Sequence, residues 1–207
     1  MSNALSFDAF ALALNNAFDA RITYEINEQT NSENKVEDFL FYKKDFSRKS
    51  VIEQMMHSNV SPNFMNVHEV KTSRINVKMT EKVSDIADVL SGASRVSGFK
   101  RFQHTRFMLL TIDNFNKNGE RLSSKENYAP LSKDSAKLKD SARNKLVVRN
   151  SAIYGLTTQN AQKSTSIQAL RAFNIIRCEL NDEREVCYSV NFDNDASQAL
   201  LDLCAIA

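Results

Sequence analysis

A helix followed by a β-hairpin near the C-terminus is the sequence feature that most constrains the fold of this chain. Three apolar side chains recur at a spacing of three, which places them on one face of a helix over 164–173: Ile167, Leu170 and Phe173. Residues 175–192 are rich in strand-forming side chains and are interrupted by a polar run at 181–184, as expected for two strands joined by a turn. The C-terminal part is therefore expected to form a helix, a hairpin and, over 196–206, a final helix.

The turn of this hairpin sets its register. A two-residue loop at Asp182 and Glu183 would place Cys178 directly opposite Cys187. Neither loop residue is glycine, which tight two-residue turns favour, so the sequence leaves the register open. The tip is also acidic, since one cation, Arg184, lies among three carboxylates: Asp182, Glu183 and Glu185. A hairpin tip with this charge is not expected to contact phosphate.

The face of the predicted helix opposite its apolar side chains carries Thr165, Gln168 and Arg171, with Lys163 just ahead of them. Together with a short helix expected over 157–162, this order of elements resembles the winged-helix fold, in which a second helix leads into a recognition helix and a hairpin wing. The resemblance covers about the last quarter of the chain and rests on order and spacing. It implies that the recognition helix enters the major groove of DNA, where arginine and glutamine make bidentate contacts with guanine and adenine edges. A helix and hairpin that only close the core are the simpler alternative.

Positive charge is concentrated in the middle of the chain. The net charge of the whole protein is only +2, but residues 95–149 carry 13 Lys and Arg against 5 Asp and Glu, and both flanking parts are mildly acidic. Such asymmetry is typical of a surface that binds a polyanion or an acidic partner, although a solvated face is the commoner cause. Within 123–150, six cations are candidates for contacts with phosphate: Lys133, Lys137, Lys139, Arg143, Lys145 and Arg149.

Composition favours helices over an all-β design. The 207 residues include 4 Gly and 2 Pro, too few for a fold built on many tight turns. We therefore expect an α+β, mostly helical protein with a helical N-terminal domain over 1–122, a basic linker or exposed helix over 123–150 and the winged-helix-like unit over 151–207. No apolar run reaches the ~20 residues of a membrane span, and the stretch 1–14 lacks the cations of a secretory signal. These features predict a cytoplasmic location.

Apolar spacing predicts several helices in the N-terminal part. Three stretches have helical periodicity: 4–20, 50–57 and 80–90. Gly92 is suited to end the last of these in a left-handed conformation. The outer face of the same helix is expected to be exposed and charged, with Glu81, Lys82, Asp85 and Asp88. A short strand is expected over 21–26, and two stretches stay open between helix and strand: 36–46 and 99–112.

Residues for catalysis or cofactor binding are not predicted. The chain has no HExxH, GxSxG, EF-hand or phosphate-cradling glycine motif, and its three histidines lie too far apart in sequence to share a helix face. Two arrangements formed only in space stay open. One is a thiol–imidazole pair of Cys204 and His104. The other is a metal site built from Asp85, Asp88 and Asp113. Structural roles are commoner for such residues, so neither an enzyme nor a metal or cofactor is expected.

Two functions are compatible with these patterns. The first is a non-catalytic protein that binds duplex DNA, with the recognition helix in the groove and the basic segment on the phosphates. The alternative is a structural, assembly or inhibitory protein of the virion or mobile-element accessory type, which acts through a protein partner or as a homo-oligomer. The Phe-rich stretches 7–18 and 39–46 support this alternative, which predicts that Phe10 or Phe39 is partly exposed in the single chain. The charge distribution and the helix–hairpin order agree with each other, which favours the first function.

Overall fold

The computed structural model of the protein describes residues 5–27, 33–64, 77–94, 96, 102–125 and 156–206. Within these residues the chain forms seven helices and a small antiparallel sheet near the C-terminus, which confirms the mostly helical α+β class. The elements follow one another in this order: α1 (Phe7–Asn27), α2 (Glu33–Asp45), α3 (Lys49–His57), α4 (Val77–Leu90), α5 (Gln103–Lys117), β1 (Leu122–Ser123), α6 (Leu156–Ala172), β2 (Ile176–Leu180), β3 (Val186–Val190) and α7 (Asp195–Ile206).

α1 is longer than the sequence predicts, because the stretch 21–26 continues the helix and does not form a strand. Arg21 and Glu25 lie one helical turn apart, are both buried and form an ion pair. The guanidinium of Arg21 also lies 5.3 Å from the ring centroid of Phe39 on α2. This pairing depends on helical spacing, since residues four apart in a strand are separated by roughly 13 Å. The expected strand over 21–26 is therefore wrong.

The two stretches that the sequence left open between helix and strand are both helical where the structure describes them. α2 buries Phe39 and Tyr42, and Phe46 follows directly after its last residue. The ring of Phe46 lies 5.2 Å from that of Phe18 and 5.6 Å from that of Phe64, as centroid distances. α5 takes up most of the second stretch and is buried along much of its length. Aromatic packing between α1, α2 and the turn after α3 closes this end of the core.

α4 lies at the centre of the helical part and contacts α2, α3, α6 and α7. Its residues 79–87 are all buried, including Glu81, Lys82 and Asp85. The expected exposed outer face of this helix is therefore wrong, because neighbouring helices cover both of its sides. Gly92 has a φ of 75° and follows the end of α4 in the left-handed conformation that the sequence predicts.

Two polar side chains of α4, Asp88 and Ser84, contact charged partners from neighbouring segments. Arg48, which precedes α3, lies 2.8 Å from Asp88 of α4 and 2.7 Å from Asp45 at the end of α2. Ser84 of α4 donates a hydrogen bond to the same Asp45 carboxylate. Because Arg48 joins Asp45 of α2 to Asp88 of α4 in a partly buried position, these contacts help to align α2 and α3 against α4.

The sheet joins the C-terminal hairpin to an earlier part of the chain. β1 pairs with β3 and β3 pairs with β2, all antiparallel, so the strand order is β1-β3-β2. α5 contacts β1 and β3, while α6 contacts α4, α5 and β2. The hydrophobic core runs continuously from Phe10 to Cys204. It therefore crosses the expected domain boundary at residue 122.

The hairpin differs by one residue from the register that a two-residue loop would give. Cys178 pairs with Tyr188 and Glu179 pairs with Cys187, so Cys178 does not lie opposite Cys187. The loop over 181–185 is longer because the Asn181 side chain accepts a hydrogen bond from the Glu185 backbone N–H at 2.8 Å. An asparagine that bonds its own loop in this way stabilises a wider turn without glycine. The predicted alignment of the two cysteines is therefore wrong.

Asn174 connects the end of α6 to three other elements. It has a φ of 54°, and the Ile175 N–H bonds to the Leu170 carbonyl at 2.8 Å, which ends α6 with a left-handed cap. Its side-chain amide donates to the carbonyls of Ser58 at 3.0 Å and Asn59 at 2.6 Å, after α3. Its own carbonyl accepts from two asparagine side chains that flank the start of α7: Asn191 and Asn194. The cap therefore holds α3, α6, the hairpin and α7 in one arrangement.

We predict that Asn174→Ala lowers the free energy of unfolding by about 2 kcal/mol. The substitution removes the side-chain amide hydrogen bonds, and alanine has no such bonds to stabilise the left-handed backbone conformation. Asn174→Gly keeps the backbone conformation and is expected to cost about 1 kcal/mol. Urea denaturation followed by circular dichroism measures both. Asn59→Gly is the control, since Asn59 is exposed with a φ of 51°. If Asn174→Gly is as stable as the unmodified chain, the amide bonds contribute nothing.

Candidate nucleic-acid interface

Over 162–172, where side-chain exposure is described, α6 presents a narrow polar stripe to solvent. Ser164 and Arg171 are exposed and Gln168 is half-buried, at the spacing i, i+4 and i+7 that aligns side chains along a helix. The Gln168 amide donates to the Ser164 hydroxyl at 3.4 Å. Ile167 and Leu170, on the other side, are buried where α6 packs against α4 and α5. The stripe therefore combines an amide and a guanidinium on a helix that the core holds in place.

Thr165 does not belong to this stripe. It is 2% exposed, and its hydroxyl donates to the Gln162 carbonyl at 3.2 Å within the same helix. The prediction that Thr165 lies on the exposed face is therefore wrong. The reason is that α6 is covered by two helices, so its buried arc is wider than the apolar side chains alone indicate, and it also includes Ser166.

Lys163 lies at the middle of α6 and is half-buried. Partial burial lowers the pKa of its ammonium group from the ordinary value, because burial disfavours the charged form. It lies beside Ser164 in the chain, but successive helical residues are roughly 100° apart, so its side chain lies outside the stripe. The six cations that the sequence assigns to the basic segment lie outside the described residues: Lys133, Lys137, Lys139, Arg143, Lys145 and Arg149.

Three cations around the hairpin are paired with carboxylates. Arg121 lies 2.7 Å from Glu179 of β2, Lys125 pairs with Glu185, and another ion pair joins Arg177 to the loop after β3. The tip itself is exposed and carries the acidic residues noted in the sequence. A cation that already faces a carboxylate contributes little to phosphate binding. The hairpin surface is therefore close to neutral or acidic and differs in charge from a wing that contacts phosphate.

The carboxylates that could have formed a metal site are used in ion pairs or buried. Asp88 pairs with Arg48, and Asp113 lies 2.6 Å from Lys117 one turn later on α5. Within the described parts of the chain, no three His, Cys, Asp or Glu side chains form a group that could hold a metal ion. The structure thus does not bring Asp85, Asp88 and Asp113 together as ligands.

Cys204 is fully buried in α7 and is not suited to act as a nucleophile. Burial raises the pKa of its thiol to about 12, and the nearby positive charge of Arg106 only partly opposes this rise. The Arg106 Nε–H donates to the Cys204 backbone carbonyl at 2.8 Å, which ties α5 to the end of α7. The thiol is therefore protonated near neutral pH, and the pair with His104 that the sequence left open has no reactive thiolate.

The aromatic residues that the assembly hypothesis expects at the surface are inside. Phe10 is 4% exposed and Phe39 is fully buried, so this expectation is wrong. The neighbours Leu40 and Phe41 on α2 are instead 51% and 65% exposed. The sequence already indicates that some apolar residues of α2 are exposed, because residues 39–42 are all apolar and a helix cannot turn all four toward one side. Only the fold shows which two of these four residues face outward.

Comparison of the chain with protein-family models, with curated proteins and with solved structures finds no match. Among the described helices, none is both long and apolar enough to cross a membrane. Assignment of a function therefore depends on the residues of the chain itself.

We predict that thiol labelling of the folded protein is selective for one cysteine. Cys178 is half-buried, whereas Cys187 and Cys204 are 4% and 0% exposed. A thiol reagent at pH 8 should therefore modify Cys178 within minutes and the other two only after unfolding in urea. Peptide mapping by mass spectrometry identifies the sites. Fast modification of Cys204 in the folded chain would contradict its burial and its raised pKa.

Proposed function

We propose that the protein binds duplex DNA without catalysis, with α6 as the recognition helix. The observation that carries this proposal is the stripe of Ser164, Gln168 and Arg171 on a helix whose other side is fixed in the core. A rigid helix with an amide and a guanidinium on its free side has the size and the chemistry for the major groove. The expectation of a separate short helix over 157–162 is wrong, because those residues belong to α6. The support for a winged-helix arrangement is the order of α5, β1, α6 and the hairpin, with β1 completing the sheet.

Contacts with phosphate come from another part of the chain in this proposal. Three cations around the hairpin are paired with carboxylates, and Arg184 lies in an acidic tip, so the wing is assigned no phosphate contacts. The sequence over 133–149 supplies six cations, and Lys163 of α6 supplies another. Affinity from such contacts falls steeply with salt, because each one releases counterions from the DNA. The hairpin then limits the approach of DNA and does not hold it.

We predict that the protein binds a labelled random-sequence duplex at low salt and that Arg171→Ala weakens this binding several-fold. Loss of one phosphate-directed or groove-directed cation should also lower the slope of log affinity against log salt by about one. Fluorescence anisotropy at several salt concentrations measures both quantities. Once a preferred sequence has been selected, Gln168→Ala should cost about ten-fold on that duplex and little on the random one.

Lys49→Ala is the matched control for this experiment. Lys49 is a 78% exposed helical cation on α3, and its exposed pair with Glu53 at 3.6 Å contributes little. This variant should bind random duplex like the unmodified protein. An Arg171→Ala variant with unchanged affinity and salt slope would show that α6 is not the recognition helix. No binding even at low salt would remove DNA binding as the function.

The alternative function as an assembly or inhibitory protein keeps one specific support. Leu40 and Phe41 form an exposed apolar pair on α2, and exposed apolar patches are a feature of surfaces that bind other proteins. A double variant, Leu40→Ser with Phe41→Ser, should then lose a partner complex or an oligomer that sedimentation detects. If its mass and its complexes are unchanged, this surface is not an interface.

A further inference from the structure

Among the strands that the structure describes, β2 lies at the edge of the sheet. In the order β1-β3-β2 it pairs on one side only, and within the described part of the chain no segment pairs with its other side. The Ile175 carbonyl accepts from the Asn191 N–H at 2.8 Å, and the Asn181 N–H donates to the Glu185 carbonyl at 2.9 Å. In an antiparallel ladder such pairs alternate, so residues 177 and 179 bond to β3. The N–H and C=O groups of residues 176, 178 and 180 therefore point away from the sheet.

The side chains along this edge have opposite charges placed symmetrically about one residue. Arg177 and Glu179 flank Cys178, and both are exposed on the outer face of the sheet, at 44% and 46% for their side chains. When two copies of β2 are laid antiparallel about a two-fold axis at Cys178, Arg177 of each copy faces Glu179 of the other. Ile176 of each copy then faces Leu180 of the other, and Leu180 is 63% exposed in the single chain.

We propose that two copies of the chain associate through this edge, with β2 pairing antiparallel to β2 across a two-fold axis at Cys178. The result is a continuous six-stranded sheet. The outward N–H and C=O groups of Cys178 bond to those of the partner copy, which satisfies the free edge. A shift of the register by one residue turns the outer face of one strand against the core face of the other. A shift of the register by two residues brings either like charges or unlike side chains opposite each other.

Existing ion pairs of the single chain support this choice of partner. Arg121 pairs with Glu179 at 2.7 Å, and Arg177 pairs with Asp193, so each end of the charged row already has one neighbour of opposite sign. Association about the two-fold axis places Asp193 and Arg177 of one copy next to Glu179 and Arg121 of the other, which gives a row of four alternating charges. The two-fold axis generates a second, identical row. An unrelated peptide strand would need its own charges at matching positions, whereas a second copy supplies them by symmetry.

Charge reversal tests the pairing directly. Analytical ultracentrifugation of the full chain should show a concentration-dependent dimer. Arg177→Glu alone and Glu179→Arg alone each bring like charges together at two positions, and each should weaken the dimer about ten-fold or more. The double variant, Arg177→Glu with Glu179→Arg, restores opposite charges across the axis and should recover the dimer. Arg184→Glu is the control, because it makes the same change in charge at the hairpin tip, outside the strand.

A second variant tests the backbone contact without changing charge. Cys178→Pro removes an N–H that points away from β3, so the hairpin keeps its own ladder while the bond to the second copy is lost. The dimer should disappear while circular dichroism stays that of the unmodified chain. A dimer that survives Cys178→Pro or both single reversals, or a chain that is monomeric at all concentrations, would overturn the proposal. The samples for ultracentrifugation contain no DNA, so the result does not depend on whether the protein binds DNA.

Discussion

The burial of α4 is the constraint on which the rest of the structure depends. A helix that is covered over residues 79–87 needs neighbours on all sides, and α2, α3, α6 and α7 supply them. Its carboxylates and its lysine enter the interior at a cost that only charged or hydroxyl partners offset. Arg48 and Ser84 meet Asp45 and Asp88 at this point, so the packing of α2 and α3 on α4 is specified by charge as well as by shape.

This packing also determines what α6 can present to a partner. Because α6 is held between α4 and α5, Thr165 and Ser166 are lost to the interior and only a stripe three side chains long is left among the residues whose exposure is described. A narrow stripe limits the number of base contacts that one copy can make. Contacts with phosphate, whose strength does not depend on sequence, must then provide most of the affinity in a DNA-binding function.

Local patterns in the sequence predicted the helices well and their surroundings poorly. Apolar spacing was sufficient for the helices over 50–57 and 80–90 and for the helix–hairpin order of the C-terminal part. It failed for Arg21 and Glu25, because alternating apolar side chains over 21–26 favour a strand, whereas the structure forms a helix that buries this ion pair beside Ile22 and leaves Ile26 exposed. It failed again on the outer face of α4, since a charged face normally indicates solvent and only the tertiary fold shows that it is enclosed. The hairpin register depends on a hydrogen bond of the Asn181 side chain, and counting loop residues in the sequence does not predict this bond.

The cap at Asn174 couples the surface of α6 to the edge of the sheet. α6 ends at Ala172 and β2 begins at Ile176, and the left-handed residue between them is bonded to α3 and to the start of α7. The direction of α6 relative to β2 is thus fixed by hydrogen bonds and not by a flexible loop. A two-fold axis at Cys178 would therefore also fix the distance and angle between two copies of α6. In DNA-binding proteins that act as symmetric dimers, this distance determines the spacing of the two half-sites. The short stripe on each copy would then be doubled, which offsets the small number of base contacts that a single α6 can make.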